Sequence, residues 1–467
     1  MSINFVDTRD FGPVVAIVGG GASGTLLAAQ LLRAGGTRVV LIERGARLGR
    51  GVAYGTRFAG HLLNVPAASM SGLPDDPDHF LRFLRERHDP AIQPTTFVSR
   101  AVFGSYLEAV LAESERSAAP GASLERRRGE VVGFADGGLT LADGSSVRAD
   151  RIVLALGNLP PRDPPLAQGG WPADPARFIR DPWSAGALNR RAAGPVLLVG
   201  TGLTMVDVAL QLQDLDPGQP ILALSRSGLL PHVHRAGGAP PSAGLPVPRP
   251  TPSLVALLRF VRSAAVVAEL GGGDWRDAVN ALRPVTAELW AGLPVEEQRR
   301  FLARLARYWD IHRHRLAPQV ATAVEQLTAG GQLALMAGRI LSVTPEGDGL
   351  AVRTRERSSG RERTLRVACV VNCTGPNADV RSGGSRLLDA LQASGVVRPH
   401  PLALGLDTCR DGALRDAQGR ASTTLFAIGP LRRGELWETT AIPEIRGQAQ
   451  ALARRLVSQR TLARVGS

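Results

Sequence analysis

Val14-Val15-Ala16-Ile17-Val18-Gly19-Gly20-Gly21-Ala22-Ser23-Gly24-Thr25-Leu26-Leu27-Ala28-Ala29-Gln30-Leu31-Leu32 is the stretch whose reading decides the fold. A β-branched run enters a Gly-x-Gly-x-x-Gly turn and leaves as a helix-compatible run. The glycines permit a tight turn and a close backbone approach to a pyrophosphate. The helix start beyond them offers free N–H groups and the positive end of a dipole. A second apolar run, Arg38–Ile42, ends in Glu43, nineteen residues after Gly24. That is the expected place for a carboxylate that binds a ribose. Strand, loop, helix, strand and acid in this order predict a dinucleotide-binding unit.

A second loop repeats the pattern. Val196–Val199 leads into Gly200-Thr201-Gly202-Leu203-Thr204-Met205 and then a helical run to Leu215. Met205 stands where the third glycine belongs, which alters helix–strand packing more than phosphate contact. The following strand, Ile221–Leu224, ends in Ser225-Arg226-Ser227 with no acid. An arginine with hydroxyls suits a 2′-phosphate, so NADP is expected over NAD. Two such loops in one chain predict a protein that brings FAD and NADP(H) together.

The 467 residues exceed one ordinary core. The net charge of +13 comes entirely from arginine, because the chain contains no lysine. The arginines are scattered and aromatics make up only 4%, so nucleic-acid binding is not expected. The charge suits anionic cofactors and substrates instead. Without lysine, no side-chain Schiff base is available. Cys369, Cys373 and Cys409 form no C-x-x-C motif, which excludes a dithiol relay of the usual spacing and suggests a reducing compartment. No leader or membrane-spanning run is read, so a cytoplasmic protein is expected.

Along the chain, short helices are expected at Asp78–Arg87 and Ser99–Glu115. A hairpin follows with turns at Asp136-Gly137-Gly138 and Asp143-Gly144, and then a strand into Leu154-Ala155-Leu156-Gly157. The Pro-rich stretch Pro160–Pro182 reads as a linker. Pro231–Pro252 reads as loop. Helical patterns follow at Ser253–Leu270, Asp274–Leu293 and Val295–Leu316, then a hairpin over Leu333–Val367. The last segment ends in a helix near Ile445–Leu462. Two Rossmann-like α/β domains with a helical insert are therefore expected. Residues 1–185 form the first part of an FAD domain and 190–376 an NADP domain with its insert near 245–330. Residues 377–467 return to the FAD domain.

With these residues in hand, the chain resembles the two-dinucleotide-domain flavoproteins related to glutathione reductase and class B monooxygenases. Leu154-Ala155-Leu156-Gly157 and Asn372-Cys373-Thr374-Gly375 are similar to that group's strand-end motifs. Thr424-Leu425-Phe426-Ala427-Ile428-Gly429 is similar to its C-terminal flavin motif. More narrowly, His61–Pro66, Tyr308–Arg315 and Trp437–Arg446 resemble a bacterial FAD/NAD(P)-binding family called YdhS-like. The group's flavin motif usually closes with Asp, where this chain has Pro430. Proline offers neither N–H nor carboxylate, so flavin binding is expected to lean on other groups, such as the backbone around Thr439–Ile442.

Candidate cofactor contacts are Gly19, Gly21, Ala22, Ser23, Gly24, Glu43, Arg44, Tyr54, Val131, Gly157, Gly200, Gly202, Leu203, Thr204, Ser225, Arg226, Gly375, Gly429, Thr440 and Ile442. Candidate catalytic residues are Asn64, His61 and His312. Asn64 is equally readable as a turn former and His61 as a surface histidine. The His232/His234 and His312/His314 pairs lack accompanying ligands, so no metal is expected. The run His312-Arg313-His314-Arg315 could face an anionic substrate or the NADP phosphates, or could cap a solvated helix end. The insert reads as a lid, a packing element or a dimer contact, and a homo-oligomer is left open. The leading expectation is an NADPH-dependent monooxygenase acting on a small molecule with molecular oxygen. The alternatives are a flavin reductase without oxygen insertion and a non-catalytic redox or nucleotide sensor.

Overall fold

The computed structural model describes residues 12–135, 137–235, 245–382 and 384–465, with side chains through 458. Asp136 and part of the expected loop at 231–252 lie outside the described residues. The run Val14–Val18 becomes the centre of a six-stranded sheet. From one edge the strands are Ala413–Arg415, Ala421–Ala427, Arg151–Leu154, Val14–Val18, Arg38–Glu43 and Ser123–Arg128. All neighbours are parallel except the antiparallel edge pair Ala413–Arg415 and Ala421–Ala427. A parallel sheet covered on both faces needs near-continuous apolar strands, which is why Val15–Ile17 are fully buried.

Helix Ala22–Ala34 covers one face, held between helix Arg100–Arg116 and the last helix, Ile442–Val465. The other face carries a three-stranded sheet, Val131–Ala135, Gly138–Leu141 and Ser146–Arg148, with helix Arg386–Ala393. Strand Ala421–Ala427 and the last helix come from the end of the chain, so the first domain is discontinuous in sequence.

The second sheet has seven strands in the order Glu362–Val367, Gly349–Glu356, Leu333–Glu346, Ile221–Ser225, Val196–Val199, Cys369–Asn372 and Phe178–Ile179. The Pro-rich stretch Pro160–Pro182 is therefore more than a linker. Phe178–Ile179 pairs with Val370 and Val371 at the sheet edge. Its short length and surrounding prolines hid it in the sequence.

The insert enters after Ile221–Ser225. Helix Leu254–Leu270 starts at Ser253, whose hydroxyl accepts from Ala256 N. The expected helix over Asp274–Leu293 is broken by Pro284 into Trp275–Ala281 and Thr286–Ala291. The third run divides at Leu305 into Val295–Arg304 and Ala306–Arg313. Helix Pro318–Ala329, with proline at its start, returns the chain to the parallel strand at Leu333. The insert packs back on the first domain. Trp290 Nε1 donates to Gly434 O at 2.7 Å, and Trp290 stacks on Trp437 with ring centroids 5.0 Å apart.

Of the three fingerprint glycines, only the third differs between the two loops. A Cβ on Gly24 would stand 1.9 Å from Gly19 O. The corresponding Met205 is fully buried in the second core. Gly24→Ala should therefore destabilise the fold by about 1–3 kcal/mol or more through overpacking. Met205→Ala should cost about 2–5 kcal/mol through the void it leaves. Denaturant titration with a flavin-domain and a second-domain probe checks both. A neutral Gly24→Ala would contradict this packing.

Candidate functional site

Both loops are built by the same contact. Gly19 (φ 107°) passes so close to the end of strand Arg151–Leu154 that a Cβ would lie 2.3 Å from Ala155 O. Gly200 (φ 117°) passes the end of strand Cys369–Asn372 in the same way, with 2.4 Å to Cys373 O. Each loop thus leans on one of the two strand-end motifs, Ala155-Leu156-Gly157 and Cys373-Thr374-Gly375. The helices begin at Gly21 and Gly202 in extended conformations, and no side chain caps either start. Their first N–H groups are left for a ligand.

The first loop has the features an FAD site requires. Gly21 and Gly51 face each other, and a Cβ on either would come within 3.6 Å of the other's Cα. The cradle is backbone alone, and a side chain would fill it. Glu43 Oε2 accepts from Gly20 N at 2.7 Å and Oε1 accepts from Gly45 N at 2.6 Å. The carboxylate is fixed at the loop, and each oxygen keeps a lone pair for a ribose hydroxyl. Gly429 must be glycine, since a Cβ would meet Ser23 Oγ at 2.6 Å. Its amide donates to Gln448 Oε1 at 3.0 Å. Gln448 Nε2 and the Thr439 hydroxyl are buried without partners. These two donors stand beside the segment where Pro430 removes the usual carboxylate. Val131 is buried in the apolar cluster beneath the first sheet with Val40 and Ile152, and lies in neither cavity described below.

At the second loop, Ser225 serves the fold. Its hydroxyl bonds Thr201 Oγ1 at 2.8 Å and accepts from Gly228 N at 2.9 Å. Arg226 is exposed on the cavity, and Arg339, Arg355 and Arg357 join it there. Arg339 and Arg355 are paired across the antiparallel strands, and Arg357 Nη1 donates to Arg226 O at 3.3 Å. The hairpin arginines were missed in the sequence. Their signal was the alternation Arg353, Arg355, Arg357, which puts Arg353 and Arg355 on one strand face and Arg357 just past the strand's end.

Two cavities of about 1920 and 1070 Å³ meet between the domains. The larger runs along the second loop, past Gly157 and Gly375, to Pro430. The smaller holds Arg44, Tyr54, His61 and Ile442. Asn64, Leu203, Thr204, His314 and Thr440 line both and mark the junction. Asn64 is thus central. Its carbonyl accepts from His234 Nε2 at 2.9 Å. His61 is buried and pinned, with Nδ1 bonding Thr56 Oγ1 at 2.7 Å and Nε2 bonding Asp207 O at 3.1 Å. Arg100 adds a salt bridge to Asp207 at 2.6 Å. His61 and Arg100 come from the first domain and Asp207 from the second, so this cluster clamps the two together. His312 faces neither cavity; its ring packs tilted against His232 and edge-on to Trp275, and its Nδ1 bonds Tyr308 O. Among the described residues, no cluster of three or more His, Cys, Asp or Glu is placed to hold a metal.

Two acids that motif reading did not single out stand at the junction. Burial pushes Asp310 above the usual carboxylate range despite nearby His314 and Arg433. Burial also opposes the charge on Glu438, but His314, Arg313 and the Trp309 N–H outweigh it and hold Glu438 below that range. Trp309 Nε1 donates to Glu438 Oε1 at 2.6 Å, and His314 Nε2 lies 3.7 Å from Oε2. The surroundings thus push these two carboxyls in opposite directions, the arrangement that separates an acid role from a base role. Tyr54 is pushed up to about 12 by burial, so it stays neutral. Burial raises Cys369 and Cys373 well above the usual thiol range, so neither is a reactive thiolate.

Residues 16–159 match the model of a family described as FAD-NAD(P)-binding. No curated protein matches the sequence. Among solved structures, ornithine hydroxylase from Pseudomonas aeruginosa is 16% identical, with 96% of this chain and 99% of that chain covered at a TM-score of 0.63. L-lysine 6-monooxygenase from Pseudomonas syringae is 17% identical, with the same coverage and TM-score. Bacillithiol disulfide reductase from Staphylococcus aureus is 12% identical over 96% and 99%, at a TM-score of 0.56. The fold is that of the two-dinucleotide-domain flavoproteins. In this flavoprotein fold the second loop, Gly157 and Gly375 line one cavity, and Arg44 and Tyr54 line the cavity that meets it at the junction. Among the described residues, no helix is long and apolar enough to cross a membrane.

The histidine beneath Asn64 gives the flavoprotein fold a pH dependence. Burial lowers His234 from 6.5 to about 4, the Asn64 carbonyl notwithstanding. The neutral form is favoured in the folded state, so the full contribution is present above the unfolded value of 6.5. It is lost as pH falls toward 4, by about 3 kcal/mol at most. His61, His232 and His400, also lowered chiefly by burial, act in the same direction. Stability measured from pH 7 to 4 should fall less steeply for His234→Gln than for the parent. Identical slopes would contradict the burial effect.

Proposed function

We propose that the protein is an FAD-dependent NADPH oxidoreductase that oxygenates a small molecule. The observation that carries this is the pair of uncapped glycine loops, each packed on its own strand end, together with two cavities that meet at Asn64 and Thr440. FAD, when bound, accepts hydride from NADPH and activates molecular oxygen. The chain supplies the rest. The first loop and Glu43 would hold the adenosine diphosphate part of FAD. The second loop would seat NADPH, with Arg226, Arg339 and Arg357 toward its 2′-phosphate. Asn64 and Thr440 line the junction where the two rings would meet. Asp310, His314 and Glu438 hold and move a proton there. The insert, pinned through Trp290 and Trp309, excludes water from above.

The amine-hydroxylating neighbours, with a TM-score of 0.63 against 0.56 for the disulfide reductase, support oxygen insertion over electron transfer alone. A disulfide reductase also needs a reactive thiol pair, and Cys369 and Cys373 are buried and free. Sparse unpaired cysteines fit a cytoplasmic enzyme.

The FAD-loaded protein should consume NADPH with uptake of oxygen. Oxygen isotope from labelled O₂ should enter a product when the substrate is present. NADPH oxidation that yields only hydrogen peroxide with every amine, thiol and ketone offered would count against oxygenation. Arg226→Ala combined with Arg357→Ala should raise the KM for NADPH about tenfold or more while leaving that for NADH nearly unchanged. Equal effects on the two would remove the 2′-phosphate role.

A further inference from the structure

The smaller cavity has a wall that the cofactors do not account for. Seven arginines line it against three aspartates. Most have carboxylate partners. Arg100 pairs with Asp207, Arg235 with Asp274 and Asp277, Arg276 with Asp274, and Arg283 bidentately with Glu444. Two on the insert are poorly matched. Arg315 is 3% exposed, and its bonds go only to neutral groups: His312 O at 2.7 Å, Asn280 Oδ1 at 3.1 Å and Arg276 O at 3.5 Å. Arg313 must share its carboxylates: it bonds Glu444, which Arg283 already holds, at 3.4 Å, it feels Glu438, which His314 and Trp309 also engage, and its Nε is buried without a partner among the described residues. Burial pushes both guanidiniums below their ordinary range, Arg315 to about 10, and neighbouring arginines add to it: Arg283 at Arg313, Arg276 and Arg313 at Arg315.

A buried guanidinium bonded only to neutral groups, beside one that shares its carboxylates, is costly, and a fold keeps such a pair where an arriving anion adds the missing charge. Arg313 and Arg315 flank His314, which lies at the junction of the two cavities. An anion on them would place the rest of a small molecule toward Asn64 and Thr440. We infer that the substrate carries a carboxylate or phosphate group, which Arg313 and Arg315 bind at the mouth of the junction. This rests on the oxygenase reading for the identity of the bound molecule as substrate. A diamine without an acidic group would meet a cationic wall and be refused.

The test uses the full chain saturated with FAD and NADP⁺, so that both phosphate cradles are filled. Thermal unfolding is followed with succinate, glycerol phosphate, cadaverine and chloride at matched ionic strength. Succinate or glycerol phosphate should raise Tm above the chloride value, and which of the two does so tells carboxylate from phosphate. Cadaverine should give no shift. Arg313→Gln and Arg315→Gln should weaken the anion's apparent Kd about tenfold or more. They should keep the flavin spectrum, and the unliganded Tm of Arg315→Gln should not fall, because a buried charge bonded only to neutral groups has been removed. Arg315→Lys should recover part of the binding. No anion-specific shift in the parent protein, or an undiminished shift in both glutamine variants, overturns the inference. Failure to bind FAD would instead defeat the oxygenase reading and leave the anion shift measurable on the unloaded chain.

Discussion

The approach of one glycine to one carbonyl, made twice, is the constraint on which the rest depends. Gly19 lies over Ala155 O and Gly200 over Cys373 O, each too close for a Cβ. Each contact ties a phosphate loop to the end of a neighbouring parallel strand. It also fixes where the loop's helix begins, and so where its free N–H groups lie. The two strand ends continue into Gly157 and Gly375, which line the same cleft. Two local packing rules thus set the relation between two cofactor seats.

The cleft between the loops is held by charges and rings that cross it. Asp207 is shared by Arg100 and His61 on one side. On the other, the insert grips the segment 433–444 through Trp290, Trp309 and the Arg283–Glu444 pair. Trp437 adopts φ 61°, an unfavourable value for a bulky side chain, and its stacking on Trp290 and edge-to-face contact with Phe301 compensate. These contacts bring Glu438 and Thr440 to the junction. Partly buried ion pairs add little net stability, but removing one partner leaves a buried charge, so they fix geometry.

The loops, Glu43 and the strand ends were legible because each needs a particular residue at a particular spacing. The helices expected from Ser99 and Ser253 start there, with each serine side chain capping the first turn. What escaped depends on long-range pairing. Phe178–Ile179 is a two-residue strand that exists only because Val370 and Val371 lie beside it. Arg339 and Arg355 become neighbours through strand register, not through sequence. Asp310 and Glu438 are 128 positions apart, and only the docking of the insert makes them a pair. The run His312–Arg315 was visible as a charge cluster, but which members face the cleft depends on the helix end after Arg313.

The central claim is that the second loop delivers electrons to the first through the shared junction. Anaerobic addition of NADPH to the FAD-loaded protein tests it most directly. The oxidised flavin band should bleach completely at one equivalent of NADPH. A bound flavin that stays oxidised under excess NADPH would contradict the account.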